Sequence, residues 1–184
     1  VVGLTACGDG GKAAAAAALG VAQESFDAVK AEAHKYAPEQ EDAIEDALTR
    51  IHNTLARGEY AKVLEDAQAM VPKIATLAGA VSSKKHELTQ TWTTLSGGLP
   101  QAVDAIQSRI ETLSKTGKLP ANVKKSAVVA AKNGVDALNT ALAEATDTFK
   151  KGNLSDAVAQ AERLKSKAVA LMTSLGMPVP DALK

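Results

Sequence analysis

Two stretches near the end of the chain carry apolar residues at alternating steps of three and four, a rhythm that fits one face of an α-helix and no strand. The first runs Val128, Ala131, Val135, Leu138, Leu142, Ala145 and Phe149; the second runs Leu154, Ala157, Ala161, Leu164, Ala168, Leu171 and Leu175. Lys151-Gly152-Asn153 separates them. A sustained seven-residue rhythm with many alanines predicts an antiparallel pair in close contact, because small side chains let the axes approach toward the lower end of the usual range, about 8–10 Å. Composition extends this reading to the whole chain. Of 184 residues, 46% are hydrophobic but only 3% aromatic, so the core must be built from Ala, Leu and Val. Alanine is the strongest helix former, and β-branched runs are scarce. The expected fold is an all-α antiparallel helical bundle of five to seven helices, forming one domain over residues 13–178 with a C-terminal tail at 179–184.

Upstream, the same pattern marks shorter segments. Phe26, Val29, Ala33 and Tyr36 share one face of a first helix that Pro38 ends. Glu39, Glu41 and Asp42 then fall in the first turn of a second helix, where negative charge complements the helix dipole, and its core line is Ile44, Leu48, Ile51 and Leu55. Gly58 breaks the chain before a third helix with Tyr60, Val63, Ala67, Val71, Ile74 and Leu77. Pro72 lies inside that run and predicts a kink. Leu88, Trp92 and Leu95 continue the pattern through Ser82-Ser83, and Gly97-Gly98-Leu99-Pro100 is expected to end it. Val103, Ile106, Ile110 and Leu113 then mark a short helix closed by Gly117 and Pro120.

Shifting the chain by 94 residues aligns Asp42-Ala43-Ile44 with Asp136-Ala137-Leu138, Thr54 with Thr148, Gly58 with Gly152 and Ala67 with Ala161. Both halves thus carry a helix, a glycine-centred turn and a second helix in one register. Duplication gives this pattern, and so does the general likeness of any two Ala/Leu-rich hairpins. Gly152 followed by Ala157 also resembles the turn of a tetratricopeptide hairpin. The tandem period and the Trp and Pro positions of that family are absent, and Val63 stands where its alanine is expected.

The single cysteine points to location. Leu4-Thr5-Ala6-Cys7 follows an apolar start and precedes Gly8-Asp9-Gly10-Gly11, and it resembles a bacterial lipobox. That resemblance implies a diacylglycerol thioether on Cys7, with residues 1–6 the remnant of a signal peptide and residues 7–12 a flexible tether. It also implies an extracytoplasmic protein anchored in the cell envelope through its lipid. Gly8, where an aspartate would favour inner-membrane retention, implies the periplasmic face of the outer membrane in a Gram-negative cell. One thiol makes no intramolecular disulfide, so the fold stands on its own core. No apolar run approaches the roughly 20 residues that span a bilayer.

Net charge is zero but unevenly divided. Residues 1–66 carry 6 Lys/Arg against 12 Asp/Glu, and residues 67–184 carry 15 against 9. The basic half suits an anionic partner or simply packs against the acidic half. Nucleic acid is not an expected partner, because the lysines are scattered without interleaved aromatics.

Catalytic and metal-binding patterns are weak. Glu-x-x-His, the motif by which helical bundles hold metals, is missing, since Ala31, Thr49 and Ser83 stand three residues before His34, His52 and His86. No cofactor and no metal are expected. A haem held by one of these histidines with Met70, Met172 or Met177 is the ligand-binding alternative, although methionine at helical spacing is usually core. Glu41 with Glu45, and Asp42 with Asp46, place carboxylates one turn apart, which suits acid–base chemistry or a solvated helix face. Trp92 is the candidate partner contact, because tryptophan anchors many interfaces, and it equally suits a core position. The expected role is non-enzymatic: a lipid-anchored interaction or structural module that meets an envelope protein.

Overall fold

Proline and glycine set the helix ends, and buried apolar lines set what lies between. The computed structural model describes residues 9–117 and 119–183. Five α-helices follow one another: α1 (Asp9–Tyr36), α2 (Pro38–Ala56), α3 (Tyr60–Thr116), α4 (Lys125–Lys150) and α5 (Leu154–Ser174), with a closing 3-10 turn at Asp181–Leu183. No strand occurs among the described residues, and the chain is all-α. In place of one domain over 13–178, two compact units form, divided within α3 between Lys85 and His86.

The first unit contains α1, α2 and the start of α3. Pro38 occupies the first turn of α2, where its missing N–H would have had no helical partner anyway. The backbone N–H groups of Gln40 and Glu41 donate to the Ala37 carbonyl at 3.1 and 3.0 Å. Leu19 and Phe26 from α1, Leu48 and Ile51 from α2, and Val63 and Leu77 from α3 meet in one core. Val71, expected on the core line, is exposed, and Met70 is buried in its place. Two ion pairs bind α1 to its neighbours: Lys30 to Glu45 of α2 and Lys85 of α3 to Glu32, each at 2.6 Å. Residues 9–12 of the expected tether are helical, because α1 begins at Asp9. Downstream of these early turns, Ala15 and Leu19 of the same helix are buried.

α3 continues past Pro72, where no stop is expected, and also runs unbroken through Gly97-Gly98-Leu99-Pro100, where a stop is expected. Proline inside a helix costs about 3 kcal/mol, yet Leu95, Leu99, Val103 and Ile106 are all buried across the site. Burial of each contributes about 1.5–3 kcal/mol, so two of them offset the proline. The separate short helix expected around Ile106 is therefore the last part of α3.

The second unit contains the rest of α3 with α4 and α5. Ala131, Ala145, Ala157, Ala161 and Ala168 have no exposed surface. A Cβ added to Gly134 would lie 2.8 Å from Leu171 Cδ1, so α4 and α5 approach closely, as their small residues predict. Arg109 of α3 donates from Nε to the Leu175 carbonyl beyond α5 at 3.4 Å. Leu183 is 2% exposed, so the expected tail packs into the unit.

The turns after α2 and α4 share one geometry. Gly58 and Gly152 adopt φ of 78° and 81°. Gly58 N–H donates to Leu55 and Glu59 N–H to Thr54, at 3.0 and 3.3 Å; Gly152 donates to Phe149 and Asn153 to Thr148, at 2.9 and 3.2 Å. This is the Schellman pattern, which satisfies the last helical carbonyls through a left-handed residue. Both pairs of bonds are related by the 94-residue shift. Replacing Gly58 or Gly152 by alanine should lower stability by about 1–2 kcal/mol, the cost of a side chain in that conformation. Gly79→Ala, within α3 and with no atom near an added Cβ, should instead raise it by about 0.5–1 kcal/mol. Urea unfolding midpoints of the three variants check both signs.

Candidate functional site

A groove of about 520 Å³ opens between α2 and the start of α3. Its walls carry Arg50 and Arg57 on one side and Lys62 and Lys73 on the other, over a floor that includes Thr54 and Met70. The local fold explains this gathering. Arg57 caps α2 and Lys62 lies in the first turn of α3, so the reversal at Gly58 brings the two helices' cations to facing walls. Thr54 is 5% exposed; its hydroxyl donates to the Arg50 carbonyl at 3.0 Å and accepts from the Arg57 guanidinium at 3.0 Å.

Two of the four cations are already matched. Arg57 pairs with Glu59 at 2.6 Å and Lys62 with Asp66 at 3.0 Å. The hydrogen bond and charge of Asp66 hold the Lys62 pKa above its ordinary value. Arg50 and Lys73 have no ion pair among the described residues. The site can therefore offer two uncommitted cations, one with the flat donor fork that suits a carboxylate or phosphate.

In the other hairpin, 94 residues on, Lys151 and Lys167 stand for Arg57 and Lys73, but the other two positions differ. Glu144 stands for Arg50 and Asp156 for Lys62. The hollow between α4 and α5, about 350 Å³, is lined by Gly134, Ala137, Leu138, Leu164, Lys167, Ala170 and Leu171 and is mostly apolar. Net charge by sequence half hid the basic groove, since residues 1–66 are acidic overall. The usable signal is local: folding the sequence back at Gly58 sets Arg50 and Arg57 opposite Lys62 and Lys73.

The residues singled out in the sequence do not come together. Cys7 lies outside the described residues, two positions before α1. Trp92 is 7% exposed and stacks on Phe149, with ring centroids 4.7 Å apart and planes 9° from parallel. It belongs to the core of the second unit, where it joins α3 to α4, and offers little surface to a partner. His34 Nδ1 lies 3.3 Å from Glu41 Oε2, His52 Nδ1 lies 3.0 Å from the Leu48 carbonyl, and His86 Nε2 lies 2.9 Å from Gln90 Nε2. Met70 and Met172 are core residues at 2% exposure. Glu41 is buried at 2% exposure beside the exposed His34, whereas Glu45 pairs with Lys30. The two carboxylates one turn apart thus have separate partners. Among the described residues no group of three His, Cys, Asp or Glu side chains is placed to hold a metal ion. No helix of the described residues is long and apolar enough to cross a membrane.

Trp92 is the only tryptophan, so its emission reports the stack directly. The folded protein should emit at shorter wavelength than the unfolded chain. Phe149→Leu should move the folded emission and lower stability by about 0.5–1.5 kcal/mol, the worth of an aromatic pair beyond its area. Fluorescence-detected unfolding measures both.

No protein-family model matches the chain, and no curated protein or solved structure is similar to it.

Proposed function

We propose that this protein is a lipid-anchored lipoprotein of the bacterial cell envelope, held extracytoplasmically through Cys7, and that it works as a non-enzymatic interaction or structural module. The observation that carries the proposal is the sequence Leu4-Thr5-Ala6-Cys7 with the chain's single cysteine. Gly8 after the cysteine favours the periplasmic face of the outer membrane. The module consists of helical hairpins that reverse at Gly58 and Gly152. The partner on this reading is an envelope protein that meets the exposed helix faces.

Metabolic labelling with a fatty acid analogue tests the anchor. The protein with Cys7 should incorporate label and partition with membranes, and Cys7→Ser should do neither. Equal labelling of the two would exclude the proposal.

A further inference from the structure

Over residues 63–113 the buried apolar residues of α3 follow one another at steps of no more than four, with one exception. The stripe runs through Met70, Ile74, Leu77 and Val81 and resumes with Leu88 and Trp92. Seven positions separate Val81 from Leu88, and no residue between them is buried. A stripe of helical period would fall on positions 84 and 85, and both are lysines. Lys85 Nζ meets Glu32 of α1 at 2.6 Å and lies 6.0 Å from the centre of the Tyr36 ring, so this lysine belongs with the first unit. The first core thus ends at Val81 and the second begins at Leu88. The division of the chain into two units, between Lys85 and His86, falls inside that gap.

We infer that residues 82–87 form a joint of α3 that opens while both units stay folded. Most of the stability of a helix in a folded protein comes from packing of its apolar face, and a short helical stretch without that support is marginal in water. Opening this stretch takes no buried side chain out of either core. The ion pair of Lys85 with Glu32 is partly exposed on both sides, where such pairs contribute little. Ser82 and Ser83 are weaker helix formers than alanine or leucine. The helix breakers of α3 lie elsewhere and are better supported: Met70 and Ile74 flank Pro72, and Leu95 and Leu99 flank Gly97-Gly98. The joint is therefore placed by a gap in burial, not by proline or glycine. A segment with few buried contacts and exposed backbone hydrogen bonds opens at lower free energy than the cores beside it, and here it leaves those cores as separate cooperative units.

Hydrogen exchange of the full chain tests the joint. Amides of residues 84–87 should exchange about a hundred-fold faster than those of Ile74 and Ile106. Equal protection at the three places overturns the inference. Ser82→Ala with Ser83→Ala should slow exchange at 84–87 about five-fold, and Ser82→Gly with Ser83→Gly should speed it by a similar factor; exchange that responds to neither pair also overturns it. Urea unfolding followed by Trp92 emission, which reports the second unit through the stack on Phe149, tests the separation of the cores. Leu48→Ala removes buried volume from the first unit and should leave the Trp92 midpoint unchanged. Leu164→Ala, in the second unit, should lower it. Where Leu48→Ala leaves the first unit unfolded, seen as lost circular dichroism, the Trp92 transition should still stand at the wild-type midpoint. A Trp92 midpoint that falls with Leu48→Ala means that α3 binds the two cores into one cooperative unit, and the joint is then excluded.

Discussion

A glycine at φ near +80° lets each hairpin reverse within three residues, and the burial inside each unit depends on that reversal. After Gly152 the chain returns directly along α4, which is how Ala145, Ala157, Ala161 and Ala168 come to lose all solvent exposure. An l-residue with a side chain would resist that conformation, and a longer loop would relax the register between the two helices. The turn after Gly58 uses equivalent carbonyls at nearly the same distances. It also sets the two walls of the basic groove, so the same glycine constrains both the packing and the candidate site.

Close packing of small side chains explains why so few aromatic residues suffice. Alanine contributes little apolar area by itself, but it lets neighbouring backbones approach and brings larger side chains into contact. Gly134 takes this furthest, since a Cβ there would collide with Leu171. Rings also contribute to the two cores: Trp92 stacks on Phe149 in the second unit, and Phe26 is buried in the first.

The helices, most of their core faces and the glycine turns were legible in the sequence, because each depends on spacing within a few residues. Pro38, Gly58, Gly117 and Gly152 mark boundaries where expected. Gly97-Gly98-Leu99-Pro100 carries an equally strong local stop signal, and α3 passes through it. Local propensity there is outweighed by Leu95, Leu99, Val103 and Ile106, whose burial depends on helices distant in sequence. Val71 and Met70 are neighbours of similar apolar character, and only the packing of α3 decides which of them faces inward. The candidate site was less legible for the same reason: Arg50 and Lys73 are 23 positions apart, and charge totals by half of the chain place them in different halves.

By itself the sequence determined that the chain is helical and where most helices reverse, since periodicity and turn glycines are properties of adjacent residues. Only the tertiary structure decided that α3 continues past Pro100, that the chain divides into two units within it, that Trp92 is core, and that four cations share a groove. Each of those outcomes compares a local cost with contacts made across the fold, or brings charges together from separate helices. Neither quantity exists until the helices have packed.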